Sequence, residues 1–206
     1  MSEEELLNED EMDSRRNALF LSETKLAKPD VGVTLGVLED LVLDFDTKIS
    51  MNSLDTPADA NKLLDFFKVI DQYWMLPLSE VWGLEAYVKR VTTGKMLYLT
   101  NQDNKIMGLI AYREHYQDQN IVGPYISTVA VLPEHHGKGL GQKLMGSAIS
   151  DLHSLGLDNI WIKTWTTNKA ISLYKRNGFE VKIYLPDDRK PGVGSIYLRR
   201  DSKAKD

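Results

Sequence analysis

The stretch VAVLPEHHGKGLGQKL, residues 129–144, limits the fold more than any other part of the chain. An apolar, strand-like run ends at Pro133, glycines follow at 137, 139 and 141, and then Leu140, Leu144, Ala148 and Leu152 recur at helical spacing. A strand that turns into a helix leaves the helix's first N–H groups without partners. Glycines strip away the side chains that would cover those groups. The first helical turn also carries partial positive charge, so the stretch has the chemistry of a phosphate or pyrophosphate cradle. A tight turn whose glycines serve packing alone is the other arrangement these residues allow. A Walker loop does not fit, because Lys143 is followed by Leu144 and not by Ser or Thr. A dinucleotide fingerprint does not fit either: position 142 is Gln, and the motif lies late in the chain instead of in a first βαβ unit.

The patterns around this loop describe a mixed α/β chain. Residues 1–14 carry seven acids and no base, and residues 1–30 read as an acidic tail. Val31, Val33, Leu35 and Val37 alternate with period two, as do Leu41, Leu43, Phe45, Ile49 and Met51; both runs are expected as strands. Asp55 or Thr56 is placed to cap a helix with Pro57 in its first turn, continued by Leu63, Leu64, Phe67 and Ile70. Residues 84–94 predict a second helix closed by Gly94 as C-cap. KMLYLT and KIMGLIAYRE flank the turn NQDN as a hairpin, and YISTVAVL follows as a third strand. The helix of 140–156 closes at Gly156; NIWIKTW is a strand, NKAISLYKRNG a short helix, and FEVKIYL and GSIYLRR are two more strands. The expected domain runs over 31–200, with 201–206 as a C-terminal tail. One central sheet flanked by helices accommodates this order.

Composition narrows the function. A net charge of −5 argues against nucleic acid as the main partner, since duplex binding depends on neutralising phosphates. With no cysteine there is no thiol nucleophile, disulfide or thiolate metal site. His135, His136 and His153 have no accepted ligand spacing, so no metal is expected. No apolar run reaches the ~18 residues of a membrane span. A cytoplasmic protein that engages neither membrane nor nucleic acid is the expectation.

Several motifs together resemble the GNAT superfamily of N-acetyltransferases over about residues 47–200. HGKGLG (136–141) is similar to their coenzyme A loop, Arg/Gln-x-x-Gly-x-Gly/Ala, with His136 in the Arg/Gln place and the Val-x-Val strand and Pro133 before it. AISLYKRNGFE (170–180) resembles their second cofactor segment, Ala-x-x-x-Tyr-x-x-x-Gly-Phe, and YWMLPLSEVWGLEAYVKR is similar to a stretch between the first two helices of some members. The resemblance implies a largely antiparallel central sheet flanked by helices, here with extra N-terminal strands that either extend the sheet or pair across a homodimer.

The same resemblance implies transfer of an acetyl group from acetyl-CoA, a co-substrate, to a primary amine by direct attack in a ternary complex. Another acyl group, or a non-catalytic acyl-CoA-binding module, are the alternatives. Backbone groups of Thr128, Val129, Ala130 and Val131 would hold the pantetheine arm. His136, Gly137, Lys138, Gly139, Leu140, Gly141 and Gln142 would hold the pyrophosphate. Tyr174 matches the tyrosine that protonates the leaving thiolate. Asn168 resembles the asparagine that contacts the pantetheine arm, but it stands two residues before Ala170 instead of three, and Thr167 occupies the usual place. No general base is assigned: Lys163 lies where some members carry Glu, and Glu114, His115, Glu134, His135 and His136 are the nearby titratable groups. On the acceptor side, Asp71, Tyr73, Trp74, Trp82 and Tyr87 cluster in sequence. Aromatic rings with an acid suit a cationic amine or a sugar, although packing of the helices on the sheet explains the rings equally well. Trp161 and Trp165 flank the same region. The partner is an amine-bearing small molecule or a protein amine.

Overall fold

The computed structural model describes residues 48–52 and 57–201. The expected strand at 31–37, the second run up to residue 47, the candidate caps Asp55 and Thr56, the N-terminal tail and the C-terminal tail beyond Asp201 lie outside these residues. Strand β1 (Lys48–Asn52) is followed by α1 (Pro57–Ile70), a 3-10 turn, the short α2 (Leu78–Val81) and α3 (Leu84–Val91). Then come β2 (Lys95–Thr100), β3 (Ile106–Gln117), β4 (Val122–Val131), α4 (Leu140–Ser154), β5 (Ile160–Trp165), α5 (Ile171–Arg176), β6 (Glu180–Lys190) and β7 (Val193–Arg200).

Among the described residues the sheet has seven strands, in the order β1-β2-β3-β4-β5-β7-β6. Every neighbouring pair is antiparallel except β4 and β5, which α4 joins as a βαβ unit. The largely antiparallel sheet and flanking helices are as expected, and β1 contains the end of the second N-terminal run, Ile49 and Met51.

Both faces of the sheet are covered, so its middle strands are apolar on both sides. Leu97, Leu99, Ile110 and Tyr112 point to the face covered by α4, where they meet Leu140, Leu144, Ala148 and Leu152. Met96, Leu109 and Ala111, one residue out of phase, point to the other face, where α1 and α3 supply Leu63, Phe67, Ile70, Tyr87 and Val91. The helical stripe of α1 includes Phe66 as well, while Leu64 is only partly buried. Leu144, Ala148 and Leu152 are fully buried, and each large apolar side chain so placed contributes ~1.5–3 kcal/mol of transfer free energy.

Two local expectations are corrected. Gly94 is not a helix C-cap, for α3 already ends at Val91 with Thr92 as its cap. A Cβ at Gly94 would lie 2.5 Å from the Tyr112 carbonyl oxygen, so glycine is there for the close approach of two backbones. The strand expected over FEVKIYL is longer than that run: β6 continues to Lys190 and turns at Gly192 (φ +79°), with the Gly192 N–H held by the Asp187 carboxylate. The resulting β6–β7 hairpin reaches past the end of β5.

One irregularity positions everything that follows. In the β3–β4 ladder Tyr112 pairs with Ile126 and Ala111 with Thr128, which leaves Ser127 as an extra residue. Its hydroxyl donates to the Ala111 carbonyl at 3.2 Å. This is a β-bulge, and a bulge bends its strand. The last β4–β5 pair is Ile126 with Ile162, immediately before the bulge. Beyond it β4 carries no ladder with β5, and the strands open into a V. Among the described residues no helix is long and apolar enough to cross a membrane.

Candidate functional site: a splayed strand between a glycine cradle and a cationic pocket

The V opens on the residues from Val129 through the glycine loop. Val129 and Val131 pack toward α4, Ala130 toward α1 and α3, and all three are only half-buried. Thr128 is buried, and its hydroxyl is 2.7 Å from the Tyr87 hydroxyl, which fixes α3 against the bulged strand.

Beyond β4 the chain makes a 3-10 turn at Pro133–His135 and then the glycine loop. Gly137 (φ +77°) and Gly139 (φ +73°) are left-handed, and a Cβ on either would meet nothing within 4 Å. These two glycines are therefore not packing residues; they supply the turn and leave the space over it open. Gly141 differs: its Cβ would meet Leu173 Cδ2 at 3.3 Å, so it lets α4 and α5 approach. Gly139 is the N-cap of α4 and offers no side-chain cap. The first helical bond runs from the Lys143 N–H to the Gly139 carbonyl at 3.0 Å, so the N–H groups of Leu140, Gly141 and Gln142 precede it. The Leu140 side chain is buried in the α4 core.

The loop's side chains brace it. His136 Nε2 is 2.8 Å from the Val131 carbonyl oxygen; as carbonyls only accept, that nitrogen donates and must carry the proton. Lys138 Nζ lies 3.4 Å from His135 Nδ1. The side-chain amides of Gln142 and Asn177 bond reciprocally at 2.8 and 3.0 Å, which ties the start of α4 to the end of α5. The amide of Asn168 is committed in the same way: its Oδ1 accepts the Ala170 N–H at 2.8 Å and its Nδ2 donates to Thr164 Oγ1 at 2.6 Å. It thus turns the chain into α5 and fixes that turn on β5.

Tyr174 sits on α5, 5% exposed, in the core formed by α4 and the sheet. Burial pushes its phenol well above the usual tyrosine value, so it is protonated across the neutral range.

On the far face of the sheet the V leads into a pocket. Trp74, Trp82, Tyr87 and Arg90 form one wall; Tyr116, Tyr125, Ser127 and Thr128 the floor; Lys163 and Trp165 the β5 side; Arg189 and Tyr197 the hairpin side. Sequence-expected Trp74, Trp82, Tyr87 and Trp165 thus come together, with Trp74 and Trp165 ring centroids 6.2 Å apart. Asp71 and Tyr73 do not line the pocket: the Asp71 carboxylate accepts from the Ser79 N–H and hydroxyl, and Tyr73 is exposed. Trp161 lies one layer off, packed with Tyr125 and Tyr197 under the Arg199 guanidinium. None of the titratable groups named as base candidates lines the pocket. Glu114 pairs with Lys95 at 2.8 Å, beside Asp151 and Tyr112, and His115, Glu134 and His136 are exposed. Among the described residues no three His, Asp or Glu gather as a metal site.

Sequence reasoning missed Arg90, Tyr116, Asp118, Arg189 and Tyr197. They lie on α3, β3, the β3–β4 turn, β6 and β7, and only the fold brings them together. The one advance signal was DDRKPG, a charged run ahead of a Pro-Gly turn.

The Acetyltransferase (GNAT) family model matches residues 63–179, more than half of the chain. The chain belongs to the GNAT acetyltransferase family. The matched span runs from α1 through the glycine loop to Phe179 and so contains the V and most of the pocket. Part of this GNAT chain is 36% identical over 67 residues to the [ribosomal protein bS18]-alanine N-acetyltransferase of Haemophilus influenzae. That match covers 32% of this chain and 46% of the relative, so under half of the relative's length is spanned. The fold is also that of an aminoglycoside 6'-N-acetyltransferase solved with coenzyme A (TM-score 0.63, 14% identity, 77% of this chain and 99% of that one). The NatC complex bound to Gag peptide and CoA contains a similar chain (TM-score 0.61, 18% identity, 77% and 100% coverage).

Proposed function

We propose that the protein transfers an acetyl group from acetyl-CoA to a primary amine by direct attack in a ternary complex. The observation that carries this is the bulge at Ser127. It opens β4 from β5, so that one strand edge joins an uncovered helix N-terminus to an aromatic pocket. Two molecules entering from opposite faces would meet along that edge, which converts a bimolecular reaction into an effectively intramolecular one.

The donor supplies an activated thioester carbonyl. The amides around Gly137, Lys138, Gly139, Leu140, Gly141 and Gln142 bind its pyrophosphate, with the Lys138 ammonium adding charge. The freed backbone of Thr128–Val131 holds the pantetheine arm, and a strand N–H there serves as oxyanion donor. Asn168 orders the turn beside that arm. The amine nitrogen attacks the carbonyl carbon, the C–S bond breaks, the sulfur takes a proton from Tyr174, and the amine's proton leaves through water. The solved neighbours hold coenzyme A, which supports the donor assignment. The lack of cysteine fits a reducing compartment, and cytoplasmic operation belongs to the same proposal.

A thiol-release assay with acetyl-CoA over pools of small amines and N-terminal peptides tests this. The expected result is release that depends on the amine, with the acetylated amine seen by mass. Tight coenzyme A binding with no amine-dependent release in any pool would make the protein a binding module instead.

A further inference from the structure

Helix α5 carries Tyr174 but has only six residues, Ile171–Arg176. A helix that short does not hold its own course; its neighbours set it. Its start is fixed on β5 through Asn168. Its end, Asn177, is tied from three sides. Within α5, the Asn177 N–H donates to the Leu173 and Tyr174 carbonyls at 3.2 and 3.0 Å, and Nδ2 donates to the Leu173 carbonyl at 2.8 Å. From β7, Arg200 Nε donates to the Asn177 carbonyl at 3.1 Å, while Nη1 lies 2.8 Å from His153 Nε2 near the end of α4. From the start of α4, Gln142 Nε2 donates to Asn177 Oδ1 at 2.8 Å, and Gln142 Oε1 accepts from Asn177 Nδ2 at 3.0 Å.

The tie to Gln142 differs from the others in where it leads. The Gln142 N–H is among those that precede the first helical bond of α4. One residue back, Gly141 comes so close to α5 that a Cβ would lie 3.3 Å from Leu173 Cδ2. On the other side, Tyr174 stands one helical turn before Asn177, and its carbonyl accepts the N–H groups of Asn177 and Phe179 at 3.0 and 3.1 Å. One pair of amides therefore joins the turn that would hold a diphosphate to the helix that holds the phenol. Folding draws little from it: Gln142 is exposed, and water replaces such bonds at small net cost. The Arg200 tie and the buried Tyr174 and Phe179 side chains keep α5 on the sheet without it.

We propose, resting on the acetyl transfer and the Tyr174 acid described above, that Gln142 and Asn177 are positioning residues: their paired amides hold the Tyr174 phenol in register with the cradle. A thioester seated on the cradle then breaks its C–S bond within reach of that phenol. The phenol proton passes to the sulfur, and the phenolate regains a proton from water. Neither amide touches the reacting atoms. Proton transfer needs hydrogen-bond reach, and a displacement of ~1 Å can cost up to ~10²-fold in rate.

Gln142→Met removes both amide bonds while keeping side-chain length and helix propensity. Asn177→Ala removes them from the other side. Each is made in the wild-type and in the Tyr174→Phe background. Thiol release with an amine that the wild type turns over gives kcat and KM, calorimetry gives the coenzyme A Kd, and a melt gives Tm. Each single variant should lower kcat by ~5–30-fold, within the range set by a small displacement, with Kd within about threefold of wild type and Tm little changed. Combining the two should cost no more than either alone, since they break one interaction. In the Tyr174→Phe background Gln142→Met should change kcat less than about twofold, because the donor it positions is gone. A merely structural role gives a different pattern: a lower Tm with kcat unchanged, or the same loss of kcat in both backgrounds. Either result overturns the proposal and leaves acyl transfer standing. Should Asn177→Ala fail to fold, Gln142→Met decides alone, for it leaves the other ties of α5 in place. If the wild type binds coenzyme A but shows no amine-dependent release, the acyl-transfer function falls and this role falls with it.

Discussion

Gly139→Ala separates the two explanations of the glycine loop. Gly139 has φ +73° and ψ 0°, and a Cβ there would touch nothing within 4 Å. No steric term arises in the ligand-free protein, so the cost to folding is that of placing an L-residue in the left-handed region, about 1–2 kcal/mol. For a chain of this size that corresponds to a fall of ~2–8 °C in Tm. If the space over Gly139 belongs to a diphosphate, the methyl also pushes the anion from the amides of the first turn. Loss of one charge-assisted hydrogen bond costs ~1.5–3 kcal/mol, or ~10–100-fold in coenzyme A affinity. Isothermal calorimetry with coenzyme A, on the variant below its own Tm, reads this second effect free of the first. Gly146→Ala is the control. It lies inside α4 away from the loop, its Cβ would meet nothing within 4 Å, and alanine gains ~1 kcal/mol in helix propensity. It should keep the wild-type affinity with no fall in Tm. An unchanged affinity in Gly139→Ala, with only the expected fall in Tm, would refute the cradle.

Three other outcomes follow from the same geometry. Tyr174→Phe should lower kcat by ~10²-fold or more with little change in coenzyme A affinity, because it removes only a proton donor; an unchanged kcat in a thiol-release assay would take Tyr174 out of that role. Burial holds the phenols of Tyr112, Tyr116, Tyr174 and Tyr197 above their usual value, so their contribution to stability is present below the unfolded pKa of ~10 and is lost as pH rises beyond it; Tm measured from pH 8 to 11.5 should hold at first and then fall steeply above pH 10, whereas a flat profile would contradict the burial. Gly94→Ala should cost at least ~1–3 kcal/mol in a urea titration, because its Cβ would lie 2.5 Å from a backbone oxygen that cannot rotate away; a loss of a few tenths would restore Gly94 as a simple helix end.

What was legible in the sequence was what depends on short-range pattern. The apolar runs of β2, β3 and β4 and the Leu140–Leu144–Ala148–Leu152 stripe of α4 each mark a buried element. The glycines at 137 and 139 announce a left-handed turn ahead of a helix. Gly94 was misread because a helix stop and a close backbone approach both call for glycine, and only the fold puts Tyr112 opposite. The Ser127 bulge leaves no mark in YISTVAVL, since one extra residue on a buried strand does not break the apolar pattern. Asp71 looked like a ligand for a cation because its bond to Ser79 closes a turn that local pattern does not specify. The charged lining of the pocket was hidden for a different reason: Arg90, Asp118, Lys163 and Arg189 are separated along the chain, and only the V and the β6–β7 hairpin gather them.

The measurement that tests the central claim most directly is a thermal-shift titration of the full chain with acetyl-CoA, coenzyme A and NAD, read against ligand concentration. A ligand that binds only the folded state at a hundred times its Kd stabilises by about 2.7 kcal/mol, a shift of several degrees. Saturable stabilisation by both coenzyme A species, none by NAD, and loss of that response in Gly139→Ala is the predicted result. No response to either coenzyme A species would mean that the loop is only a turn, and the acyl-transfer function would be contradicted with it.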